Sequence, residues 1–200
     1  KEIDDFDALL KVVHQLIVKN TTAKSALEIA MYDLKAKSQK LPLFRMLGGS
    51  QTVFTTDITI SMGDTQKMIA DSMHAVALGY RVLKIKIGES VQKDSERIIA
   101  LHDALGKDVT LRLDANQGWS AQDAVTLLQT LENREILAEF IEQPVPAEDI
   151  AGLKYIKERV RTPLLADESI FTLKDAKRLL EMQAIDYVNI WEDMAYKAGS

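Results

Sequence analysis

The chain has 200 residues, with 25 Lys+Arg against 30 Asp+Glu, 46% hydrophobic and 28% charged, the balance of an ordinary globular chain of one domain or one and a part. A net charge of −5 and a pI near 5.3 give no basic field for nucleic acid, and no run approaches the roughly 20 apolar residues of a membrane span. The absence of cysteine excludes disulfides, thiolate metal sites and cysteine nucleophiles, and is compatible with a reducing cytoplasm. The opening KEIDDFDALL is acidic and reads as interior sequence rather than as a signal peptide.

In chain order, helical spacing comes first. Apolar residues recur over Asp4–Val18 (Phe6, Leu9, Leu10, Val13, Ile17) and over Thr21–Lys37 (Ala23, Ala26, Leu27, Ala30, Leu34), with Thr21 or Thr22 placed to cap the second helix. Pro42 and the run Gly48-Gly49-Ser50 then break the pattern, which marks a domain hinge. The expected organisation is residues 1–50 as the helical end of one domain, 51–190 as a second, and 191–200 unassigned.

Beyond the hinge, short apolar runs alternate with amphipathic segments. Phe54–Ile60, Val82–Ile87, Val109–Leu113, Phe140–Ile141, Leu164–Ala166 and Tyr187–Ile190 read as strands, with helices starting near Asp64, Ser90, Ser120, Glu148 and Thr172. Ser120 with Asp123 and Thr172 with Asp175 resemble capping boxes with Asp in place of Glu. Two helix faces are expected to pack inward, one bearing Ile69, Met73, Val76 and Tyr80, the other Ile150, Leu153, Ile156 and Val160. A strand-plus-helix repeat of about 25 residues implies parallel strands with crossover helices, in an open doubly wound sheet or a (β/α)8 barrel.

The charged positions favour the barrel. Lys84 and Lys86 stand two apart in VLKIKIG, so both ammonium groups lie on one face of the strand while Leu83, Ile85 and Ile87 pack under helices. Asp114, Glu142 and Asp167 each close a strand, and in a barrel those ends converge on one mouth. One strand-end Asp is more often a cap than a ligand; three in succession point to a site. Three carboxylates in a partly dry site need a compensating cation, and oxygen-only ligation favours Mg²⁺, with Mn²⁺ as a substitute. The paired lysines supply the other half: like-charge repulsion and burial are expected to lower an ammonium pKa until a neutral amine can accept a proton. An amine opposite a metal suits abstraction of a proton α to a carboxylate, with the cation stabilising the enediolate. Asn116, Gln117 and Trp119 in DANQGW serve this site or merely shape the loop, and His14, His74 and His102 lie on helices away from every motif.

The runs Lys84-Ile85-Lys86, Asp114-Ala115-Asn116-Gln117-Gly118-Trp119, Ile141-Glu142-Gln143-Pro144 and Ala166-Asp167-Glu168-Ser169 resemble the enolase superfamily, specifically its muconate-lactonizing-enzyme subgroup. The separations of 28, 28 and 25 residues between Lys86, Asp114, Glu142 and Asp167 are also similar to that subgroup. Residues 20–50 look like the end of its capping domain and the start of its barrel, and TTDITISMG at 55–63 is similar to the L-Ala-D/L-Glu dipeptide epimerases.

The resemblance implies an α/β fold, a partial TIM-type barrel of about six βα units preceded by the helical end of a capping domain. It further implies Lys86 as the base, Lys84 as its tuning neighbour, and Asp114, Glu142 and Asp167 as Mg²⁺ ligands. Asn116 and Glu168 would stand behind those ligands, and Thr59 would face a small-molecule carboxylate such as a dipeptide. An epimerase of this kind carries a second lysine directly after the sixth strand's Asn-Ile, where this chain has Trp191. A typical barrel takes about 250 residues and only about 150 follow the hinge, so the sequence reads as a fragment of a longer enzyme. The activity so implied is epimerisation. A one-base reaction of the o-succinylbenzoate synthase or cycloisomerase kind and a non-catalytic fragment are the alternatives, and a homo-oligomer is left open.

Overall fold

The computed structural model describes residues 5–16 and 20–189, and the chain divides into two compact units between Phe54 and Thr55. Ile17, Ile190, Trp191 and the tail lie outside the described residues.

The first unit contains α1 (Phe6–Leu16), α2 (Thr21–Ser38) and α3 (Leu43–Met46). Phe6 is buried, meeting the Tyr32 ring edge-on at 4.9 Å between centroids, with the Lys35 ammonium 4.0 Å above its face. Two expectations for α2 need correction. Its N-cap position is Asn20, in the left-handed region at φ 49°, one residue ahead of the expected Thr21 or Thr22. Its buried positions are Ser25, Glu28 and Ala36, whereas Leu27 and Leu34 are exposed. Alanines spread around TTAKSALEIAMYDLKAKS leave the apolar stripe without a marked direction, so periodicity alone set the wrong face.

The second unit alternates strictly: β1 (Ile58–Ile60), α4 (Thr65–Ala77), β2 (Val82–Lys86), α5 (Val91–Leu105), β3 (Thr110–Asp114), α6 (Ala121–Glu132), β4 (Ile141–Glu142), α7 (Ile150–Lys157), β5 (Leu164–Ala166), α8 (Leu173–Glu181) and β6 (Tyr187–Val188). All neighbouring pairs are parallel and the strands lie in chain order. A doubly wound sheet would reverse its order at a switch point; this one progresses without reversal, as successive units of a TIM-type barrel do. β1 is shorter than the expected Phe54–Ile60, because its partner β2 begins only at Val82 and offers no ladder to residues further back.

The pleat sorts the strand residues as expected. Leu83, Ile85, Leu111, Leu113, Ile141 and Leu164 are buried, each contributing roughly 1.5–3 kcal/mol by removal from water. Lys84, Lys86, Arg112 and Asp114 occupy the opposite face, with Lys84 level with Arg112 and Lys86 level with Asp114. Leu153 and Ile156 of α7 are buried as expected, but α4 is rotated. It buries Met68, Ser72 and Ala75 and leaves Met73 exposed, and it ends at Ala77, so Tyr80, also exposed, lies beyond it. The small Ser72 and Ala75 leave room for a closely packed neighbour, and a search for large apolar residues passes over them.

Side chains start the helices. Asp64, Ser90, Ser120, Asp149 and Thr172 each accept a backbone N–H from the first turn, so α7 is capped by Asp149, one residue after the expected Glu148. Asp123 and Asp175, one methylene shorter than Glu, accept from the Ser120 and Thr172 hydroxyls. Among the described residues no helix is long and apolar enough to cross a membrane.

Candidate active site

The C-terminal ends of β2 to β5 carry the site. Register sets Lys86 beside Asp114 and Asp114 beside Glu142, and Asp167 directly follows β5. Asp114, Glu142 and Asp167 are all buried. Asp114 Oδ2 accepts from the Lys84 ammonium at 2.8 Å and from Lys86 at 2.6 Å, while Lys84 also reaches Glu142 Oε2 at 2.7 Å. Lys86 is the more open of the two lysines and donates in addition to Asn116 Oδ1 at 2.6 Å. Asn116 passes the contact on, its Nδ2 donating to Glu168 Oε1 at 3.2 Å. Asp167 Oδ1 accepts from Asn189 Nδ2 at 3.2 Å. Thr59 is exposed on β1, level with Lys84 and on the same face of the sheet.

The electrostatics correct one expectation. Burial, the largest influence on Lys84, favours its neutral amine, but hydrogen bonds and charge from Asp114 and Glu142 together outweigh it and raise the pKa. The repulsion expected between the two lysines is offset because a carboxylate lies between them. Burial also disfavours ionised Asp114, yet its bonds to Lys84 and Lys86 hold it below the usual carboxylate value. Glu142 goes the other way: burial, with the negative charges of Asp114 and Asp167, pushes it up to about 7 despite its bond to Lys84.

The donor chemistry suits a hard divalent cation, since buried oxygens predominate, Glu142 is short of compensating positive charge, and Glu168 Oε2 is buried with no hydrogen-bond partner. As the side chains stand, no three acidic or imidazole groups among the described residues are gathered tightly enough to hold a metal ion, and Lys84 bridges Asp114 and Glu142 instead.

Two residues to which the sequence reading gave no role organise the loops. Asp94, fully buried, accepts the backbone N–H groups of Gly88, Glu89 and Ser90 at 2.8–3.1 Å and the Trp119 indole N–H at 3.3 Å. It thereby ties the loop after β2 to the loop after β3. The two loops also touch directly: Gly88 has φ +122°, and a Cβ there would stand 2.5 Å from the Ala115 carbonyl oxygen. The second residue is Gln143, which joins the loops after β4 and β5. Signals for both were present, an acidic residue in the first turn of a helix and an amide beside a strand-end carboxylate, but neither pattern is specific. Gln117 and Trp119 shape the loop, Gln117 accepting from Ala147 N at 2.9 Å.

The sequence matches an enolase C-terminal domain-like family over residues 67–191 and the mandelate racemase / muconate lactonizing enzyme N-terminal domain over residues 1–48. The chain belongs to the enolase superfamily, in its muconate-lactonizing-enzyme subgroup. Among its relatives, the L-Ala-D/L-Glu epimerase of Clostridium acetobutylicum is 44% identical over 189 residues, covering 94% of this chain and 53% of that protein. The hydrophobic dipeptide epimerase of Enterococcus faecalis is 39% identical over 185 residues, covering 90% and 52%. The substrate-liganded L-Ala-D/L-Glu epimerase from Bacillus subtilis superposes with a TM-score of 0.92 at 37% identity, over 100% of this chain and 56% of that one. The dipeptide epimerase from Cytophaga hutchinsonii complexed with Mg and the dipeptide D-Ala-L-Val gives a TM-score of 0.87 at 36% identity, over 96% and 52%. This superfamily chain thus spans about half the length of the curated relatives it matches.

Proposed function

We propose that this chain carries the proton-abstracting half of an Mg²⁺-dependent dipeptide epimerase, in which Lys86 removes the proton α to a substrate carboxylate. The observation that carries the reading is the juxtaposition of the more open lysine, Lys86, with buried strand-end carboxylates that need more positive charge than Lys84 supplies. Asp114, Glu142 and Asp167 are the proposed ligands. Mg²⁺, or Mn²⁺ in its place, would supply the charge that makes the α-proton acidic by drawing electron density into the substrate carboxylate. Asp114 and Glu142, which Lys84 bridges, would have to share their oxygens with a bound cation. Lys84 stays protonated beside them, and Asn116 orients the Lys86 amine toward the mouth while Glu168 steadies Asn116. Thr59, exposed on the same face, is the proposed contact to substrate. Named relatives and solved neighbours that act on or bind dipeptides support this substrate class. A cytoplasmic setting, resting on the cysteine-free composition, belongs to the same proposal; a homo-oligomer is compatible with it. Residues 1–50 are proposed as the end of a capping domain and 51–190 as the barrel portion.

The expected result with L-Ala-L-Glu, Mg²⁺ and D₂O is incorporation of deuterium at the α-carbon of the C-terminal residue, read by NMR. Exchange with retention would favour a one-base reaction, the second reading, which the occurrence of Trp191 at the position of the other base favours. Inversion requires a second base. Absence of exchange with several dipeptides would refute proton abstraction and leave a non-catalytic role.

A further inference from the structure

We infer that Gln143 is a positioning residue that sets the spacing between Glu142 and Asp167, and with it the affinity of the site for a divalent cation. The inference rests on the proposed metal reading and deepens it. Gln143 is fully buried and follows Glu142 directly. Its Oε1 accepts two backbone N–H groups from the next strand's loop, those of Asp167 at 3.0 Å and Ser169 at 3.1 Å. Its Nε2 donates to the Val145 carbonyl at 2.9 Å and to Ser169 Oγ at 2.8 Å, and that hydroxyl in turn donates to Ala147 O at 2.7 Å. The main chain adds two links: Gln143 N–H donates to Leu165 O at 3.0 Å, and Gln143 O accepts from Gln117 N at 2.8 Å.

One residue therefore joins the loops after β3, β4 and β5, each of which adjoins one proposed ligand. The demand on the side chain is specific. Two N–H donors require an acceptor on one side and a carbonyl requires a donor on the other, so a primary amide satisfies the set and a carboxylate would set oxygen against Val145 O. The backbone is held in the left-handed region, φ 36°, at a residue that is not glycine. Such a conformation persists where surrounding contacts over-determine it, as the four side-chain bonds here do. Because the amide grips Asp167 by its own N–H, the main-chain position from which the Asp167 carboxylate projects is fixed by Gln143 as well as by β5.

The test is Mn²⁺ titration, followed by electron paramagnetic resonance, of wild type and Gln143→Leu, with near-ultraviolet circular dichroism to establish native packing. Ordered partners behind metal ligands are commonly worth about 10- to 100-fold in affinity, and a loss of that size is expected in Gln143→Leu, whereas affinity within about twofold of wild type would overturn the inference. Should Gln143→Leu fail to fold, Ser169→Ala, which removes the hydroxyl contact while leaving Gln143 in place, decides the matter: a several-fold loss supports the inference and unchanged affinity overturns it. Wild type that takes up no Mn²⁺ would instead refute the metal reading itself, and the inference with it.

Discussion

Lys86→Met is expected to reduce deuterium exchange at the substrate α-carbon by about 100- to 10,000-fold, the range that a positioned general base contributes, while leaving Mn²⁺ binding in place. The asymmetry follows from the geometry. Lys86 reaches Asp114 and Asn116 and is the more solvent-accessible of the two lysines, whereas Lys84 lies deeper and is held by two carboxylates. Removing Lys86 deletes the amine nearest the mouth but leaves Asp114 with Lys84 as a partner. Side-by-side exchange rates and Mn²⁺ titrations check both halves of the prediction. Exchange at the wild-type rate in Lys86→Met would transfer the base to another residue, with Lys84 next to be tested.

The second large effect concerns pH in metal-free protein. Glu142 has its carboxyl raised from 4.5 to about 7, chiefly by burial, so the fold favours the protonated form. Its contribution to stability is therefore full below pH about 4.5 and is lost as pH rises through about 7, an effect on the order of 3 kcal/mol. Urea denaturation in the presence of a chelator should show wild type weakening between pH 5 and pH 8 relative to Glu142→Gln, whose amide does not titrate. Addition of Mg²⁺ at pH 8 should restore wild type and leave the variant unchanged. Parallel pH profiles for the two proteins would mean that Glu142 is already ionised and compensated without metal.

The sheet was legible because its physics is local. Six short apolar runs alternate with five amphipathic helices, and Leu83-Lys84-Ile85-Lys86-Ile87 alternates so cleanly that both the inner and outer faces could be assigned from letters alone. The strand-end carboxylates were found for the same reason, since a charge closing an apolar strand is conspicuous. Helix faces fared worse where small residues pack: Ser72 and Ala75 of α4 and Ser25 and Ala36 of α2 are buried, while larger neighbours are exposed. Period counting weighs side chains by hydrophobicity and does not see a close approach between helices.

The polar network was the least legible part. Gln143 and Asp94 bond chiefly to main-chain groups of segments distant in sequence or several residues away, and backbone partners leave no trace in residue identity. The sign of the Lys84 shift was missed for a related reason. Two lysines on one strand read as mutual repulsion, and only the register Lys86↔Asp114↔Glu142 reveals the carboxylates on the next strands that reverse it.

The most direct test of the central claim, that carboxylates closing β3, β4 and the β5 exit serve one divalent cation, is the stoichiometry of Mn²⁺ uptake by wild type and Asp114→Asn. The expected result is a single saturable site per chain that disappears in the variant, with competition by Mg²⁺ for the same site. Saturable binding of equal strength in both proteins, or none in wild type, would contradict it.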